Sequence, residues 1–140
     1  MALILMSHGD MAVETLKSAE LIVGQLPETV ALGLHESDGP DTLKAKVVSE
    51  IEKYYQKEPI YLLVDLLGGT PGNVAVNLTQ DYPELHVISG LNLPMVLNYA
   101  NQMFIGEEIK IADIMNEGKA GIVDVNAFIN ADASEDDEDE

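Results

Sequence analysis

The stretch "IYLLVDLLGGTP", residues 60–71, sets five apolar residues in a row before an aspartate, a glycine pair and Thr-Pro. An apolar run without polar alternation fits a strand buried on both faces, which is the signature of a parallel sheet with helices on each side. Asp65 then ends the strand. Thr70 and Pro71 read as the cap and first position of a helix, since proline favours the first helical turn. The same grammar recurs at the N-terminus, where "ILMSHGDMA", residues 4–12, runs from an apolar strand through Ser-His-Gly-Asp into a helix.

Working outward, strands are expected at Ala2–Met6, Thr29–Leu34, Ile60–Val64 and Leu85–Ser89. The first helix carries Ala12, Leu16, Ala19 and Val23 on one face and stops at Gly24. The second, capped by Asp41, uses Leu43, Val47, Ile51 and Tyr54. A helix follows Asn92 and Pro94, another covers roughly Glu107–Asn116, and Gly121–Val125 reads as a last short strand. Strands alternating with helices give an α/β fold, an open parallel sheet covered on both faces. Residues 1–130 form one domain. The acids filling Glu135–Glu140 make residues 131–140 an acidic, disordered tail.

Composition excludes several classes of function. The 140 residues carry 25 acids against seven lysines and no arginine, a formal charge of −18 that repels nucleic acid and anionic membranes. A small basic protein would be attracted. There is no cysteine, so disulfides and thiolate metal sites are ruled out. No apolar run reaches the ~18 residues of a membrane span, and no basic segment precedes the first apolar stretch as in a signal peptide. These features suit the cytoplasm.

In the common strand order 2-1-3-4, the ligand crevice lies beyond the carboxyl ends of strands 1 and 3. His8 and Asp65 would face each other there. A histidine so placed is a general base, a metal ligand or a nucleophile. His8 with Asp10 makes a poor metal site, because a single histidine and a single carboxylate are too few, and Asp10 reads better as a helix cap. Two helix N-termini converging on the crevice favour an anion, phosphate above all. Gly68 and Gly69 allow close backbone approach. Asp65 would hold the proton on one ring nitrogen and leave the other free to attack. Ser7, Gly9, Gly68, Gly69 and Thr70 would line a phosphoryl site, with neither metal nor cofactor needed. His35 reads as part of a solvated turn and His86 as structural.

Three segments taken together, "SHGDMAVETLKSAELIVG", "LLVDLLGGTPGNVAVNL" and "VISGLNLPMVLNYA", resemble the signature regions of the mannose-family enzyme IIA domains of the bacterial phosphoenolpyruvate-dependent sugar phosphotransferase system. The resemblance spans about Ala2–Val125. It implies that His8 takes a phosphoryl group on Nε2 from the phosphocarrier HPr, and that Asp65 partners the other ring nitrogen. It implies transfer onward to a IIB protein, which phosphorylates a mannose-type sugar during uptake through membrane IIC and IID components. It also implies a homodimer exchanging a C-terminal antiparallel strand, here Gly121–Val125. The chain ends too soon after that strand for a fused IIB domain, so a free-standing IIA protein is expected.

Three positions depart from the pattern: Gly72 replaces a large aromatic, Asn98 an acid, and Asp10 adds a negative charge beside the site. A receiver module would need acids where this chain has Ser-His-Gly. A histidine phosphatase would need an arginine, and a flavodoxin-like carrier has little support in "GGTP". Two alternatives share the phosphorylatable histidine: the phosphoryl-donor subunit of dihydroxyacetone kinase, and a regulatory phosphoprotein outside transport.

Overall fold

The computed structural model describes residues 1–138, with side chains through Ala131. Four strands, β1 (Ala2–His8), β2 (Thr29–Leu34), β3 (Ile60–Val64) and β4 (His86–Ser89), form one parallel sheet in the order β2-β1-β3-β4. Among the described residues six helices accompany them: α1 (Met11–Val23), α2 (Pro40–Tyr54), α3 (Gly69–Asp81), α4 (Leu93–Ile105), α5 (Ile111–Ala120) and α6 (Val125–Glu138).

Alternation along the strands sorts the core into two layers. Leu3, Leu5, Tyr61 and Leu63 pack with Ala12 and Ala19 of α1, Val96 and Tyr99 of α4, and Ile114 of α5. Ala2, Ile4, Met6, Leu62 and Val64 face the other way, onto Leu43, Val47 and Ile51 of α2 and Val74, Ala75 and Leu78 of α3. Because both faces are covered, β1 and β3 have no polar face to show, and their sequences read as unbroken apolar runs.

The doubly covered sheet and its order match the sequence expectation, with corrections at the ends of elements. Helix α2 starts at Pro40 with Gly39 as its cap, rather than at Asp41. Helix α3 is capped by Gly68, so Gly69 and Thr70 already lie inside it, ahead of Pro71. The helix expected over 107–116 begins only at Ile111. Asn92 caps α4 as expected, accepting a hydrogen bond from the Met95 N–H at 3.1 Å.

The largest correction concerns Gly121–Val125, which forms no strand in this chain. Gly121 closes α5, residues 122–124 are irregular, and Val125 opens α6. Its branched apolar residues fit strand propensity, but a strand also needs a neighbour to hydrogen-bond, and the sheet pairs without it. Ile122, Val123 and Val125 are left exposed. Of the acidic stretch 131–140, residues 131–138 continue along α6, and Asp139 and Glu140 lie outside the described residues.

Candidate functional site

Parallel pairing of β1 with β3 sets Met6 opposite Val64, and the Asp65 N–H continues the ladder by donating to the Met6 carbonyl at 3.2 Å. One more step along β1 brings His8 beside Asp65. Asp65 Oδ2 accepts from the His8 backbone N–H at 3.0 Å and lies 2.8 Å from His8 Nδ1. A carboxylate can only accept, so Nδ1 carries the proton and Nε2 keeps its lone pair. The carboxylate is nearly buried at 12% exposure while the imidazole is 48% exposed. The aspartate is fixed, and the ring it orients faces outward.

Gly69, at φ +80, brings the start of α3 against that ring. A Cβ built on Gly69 would stand 2.8 Å from His8 Cε1 and 2.9 Å from Nε2, which a real side chain could not do. Glycine is therefore required twice over, for space and for backbone conformation. No side chain caps α3, so its first-turn N–H groups, beginning at the glycine that adjoins the ring, have no side-chain acceptor. Gly9, at φ +56, turns the chain out of β1, and its N–H donates to the Leu34 carbonyl at 2.7 Å.

Ser7 plays a different part from the one expected. It is fully buried, and its Oγ accepts from the Ala12 N–H at 2.7 Å, so it caps α1. Asp10 occupies the cap position but makes no capping bond. Its carboxylate instead lies 2.7 Å from His35 Nε2. Thr70 sits in the first turn of α3, half-buried, one residue beyond the glycine that touches His8. His86 stacks on Tyr61 with centroids 4.9 Å apart, as a structural residue would. His35, expected as a solvated turn that could at most rim the crevice, follows β2 at the carboxyl end of the sheet and pairs with Asp10.

The departures at Gly72 and Asn98 have local reasons. A Cβ on Gly72 would meet the Leu67 and Leu66 carbonyls at 2.4 and 2.5 Å, so an aromatic there would push the 66–68 loop outward. Asn98 accepts from Gln102 Nε2 at 2.7 Å, and Gln102 in turn bonds the Lys110 backbone, tying α4 to the segment before α5. Among the described residues, no cluster of three or more acids and histidines is placed to hold a metal, and no helix is long and apolar enough to cross a membrane.

A parallel sheet in this order places an aspartate-held histidine at its β1–β3 switch point. The family model described as the PTS system fructose IIA component matches residues 2–115. The fructose-specific EIIA component of Bacillus subtilis is 26% identical over 119 residues, 85% of this chain and 80% of that protein. The sorbose-specific EIIA component of Lacticaseibacillus casei is 30% identical over 100 residues, 71% and 72% of the two chains. The mannose-specific EIIAB component of Escherichia coli is 29% identical over 96 residues, 69% of this chain but 30% of that protein. Among solved structures, the EIIA component of Streptococcus agalactiae superposes with a TM-score of 0.81 at 28% identity, covering 90% of this chain and 98% of that one. The mannose/sorbose-specific IIA subunit of Enterococcus faecalis gives 0.76 at 34% identity, covering 87% and 92%. The chain belongs to the mannose-type EIIA family, and is a phosphotransfer component of a sugar phosphotransferase system.

Proposed function

We propose that His8 is the phosphoryl carrier: it accepts a phosphoryl group on Nε2 from phospho-HPr and passes it to a IIB protein, which phosphorylates a mannose-type sugar as IIC and IID components import it. The observation that carries this is the 2.8 Å contact between His8 Nδ1 and Asp65, with Nε2 turned toward the start of α3. In the forward step the Nε2 lone pair attacks phosphorus, an N–P bond forms, and the bond from phosphorus to the donor breaks. The Nδ1 proton stays in place against Asp65, which steadies the ring as it acquires positive character. The first-turn N–H groups of α3 face the incoming phosphoryl oxygens. Ser7 supports the site by capping α1, while Gly9, Gly68, Gly69 and Thr70 shape it.

The carrier works in the cytoplasm and as a homodimer in this reading. Exposed Ile122, Val123, Val125, Phe128 and Ile129 support the dimer as surface for a second copy, which sedimentation at two concentrations tests. The decisive experiment on His8 is intact mass after incubation with phosphoenolpyruvate, enzyme I and HPr, followed by a chase into IIB. One phosphoryl group on the parent, none on His8→Ala, and discharge by IIB are expected. Equal labelling of His8→Ala would overturn the assignment.

A further inference from the structure

The second imidazole at this end of the sheet differs from the first in a way its partners explain. His8 has one ring nitrogen engaged by a carboxylate. His35 has carboxylates at both: Asp10 Oδ1 lies 2.7 Å from Nε2 and Asp38 Oδ2 lies 3.6 Å from Nδ1. An imidazole hydrogen-bonded to one carboxylate, with a second carboxylate beside its other nitrogen, is best matched to them when it carries both protons. The Asp10 hydrogen bond and charge, aided by Asp38, raise its pKa above the ordinary value although burial works against this.

The loop that carries His35 is also strapped to the turn that carries His8. The Gly9 N–H donates to the Leu34 carbonyl at 2.7 Å. Gly33 passes so close that a Cβ there would lie 2.1 Å from the Gly9 carbonyl oxygen. Asp38 closes its own loop by accepting from the His35 N–H at 3.0 Å. The segments framing the crevice, residues 7–12, 33–41 and 65–72, contain no lysine or arginine. Imidazolium is the only side-chain cation those segments can supply.

We propose that protonated His35 is a positioning residue of the phosphoryl site: through Asp10 it fixes the turn that follows His8 and cancels the negative charge placed there, two residues from the phosphohistidine. The proposal rests on the carrier role of His8. A phosphoryl group arriving on Nε2 brings about two negative charges, and an uncompensated Asp10 would oppose it. Of the other charges, Glu36 and Asp41 lie along the chain in the same loop and helix start, Lys46 of α2 acts on Asp38, and Glu14 of α1 is paired with Lys17. Only Asp10 and His35 tie the two loops together through their side chains.

The test is the rate of phosphoryl transfer from phospho-HPr to the full chain between pH 6 and 9, with the His35 ring titrated in parallel by NMR. The parent rate is expected to fall as His35 loses its proton. His35→Gln should lie on the order of 2- to 5-fold below the parent at low pH, the range of an exposed ion pair, and lack that limb. His35→Lys, a permanent cation, should keep the rate and also lack the limb. Asp10→Asn combined with His35→Gln should restore the rate, which a docking role for His35 would not allow. Parent and His35→Gln profiles that coincide would overturn the role of His35 and leave His8 standing. A parent that takes no phosphoryl group at all would overturn both.

Discussion

At the residue scale, chemistry depends on which ring nitrogen of His8 is free. Asp65 Oδ2 accepts from both the backbone N–H and Nδ1, so an asparagine can keep that one oxygen in place while losing the negative charge that steadies the ring. Asp65→Asn should keep the fold and slow phosphoryl acceptance on the order of 10- to 100-fold, as loss of a histidine's orienting carboxylate does elsewhere. Single-turnover transfer from phospho-HPr measures it, and an unchanged rate would show that the tautomer is set by something else. Gly69→Ala attacks the same atom from the other side. The new methyl would press on Nε2 from 2.9 Å, and a non-glycine residue at φ +80 costs roughly 1–3 kcal/mol. Transfer should fall further than the accompanying drop in denaturation midpoint explains. A variant that is merely less stable but fully phosphorylated would mean the ring moves aside without penalty. The His8–Asp65 pair was legible in the sequence because each stands within two residues of the end of an unbroken apolar run, and the switch-point rule then places them together. The Asp10–His35 contact was not, because it joins two loop side chains 25 residues apart and no periodicity encodes it.

At the element scale, the ends of helices carry the differences between expectation and structure. Aspartate is a strong cap in general, yet Asp10 is drawn away by His35, and the buried Ser7 hydroxyl caps α1 from within β1. Ser7→Ala should therefore destabilise the chain by about 1 kcal/mol, the ordinary cost of a lost serine cap, visible as a lower urea midpoint with unchanged slope. Asp10→Asn should leave that quantity nearly untouched, since Asp10 makes no cap bond. If Asp10 proved the more costly of the two, the capping assignment would be reversed. At α3, the glycines start the helix earlier than Thr-Pro alone suggests, because only glycine can turn so tightly against an imidazole. Gly121–Val125 forms no strand within one chain for a related reason: strand propensity describes how residues suit a sheet, and pairing also needs a partner strand.

At the scale of the whole molecule, charge distribution and open geometry point to the same kind of partner. The cavity of about 430 Å³ lined by Tyr55, Glu58, Glu84 and His86 lies at the amino ends of β3 and β4, away from His8, whose ring stands in an open crevice. A half-exposed imidazole flanked by exposed Met11, Leu66 and Leu67 suits a protein donor, as the proposed carrier role requires, better than an enclosed small molecule. The formal charge of −18 then acts over distance. It draws in a carrier with a basic docking face and speeds encounter most when salt is low. Raising ionic strength from about 0.01 to 0.5 M shrinks the screening length from ~30 Å to a few ångströms. The second-order rate of transfer from phospho-HPr should fall by roughly 10-fold or more across that range, while the chemistry within the docked complex stays constant. Rapid-quench kinetics at saturating and limiting HPr separate the two. A second-order rate that ignores salt would mean that short-range contacts around Met11 and Leu67 guide docking, and that the acidic surface serves some other end.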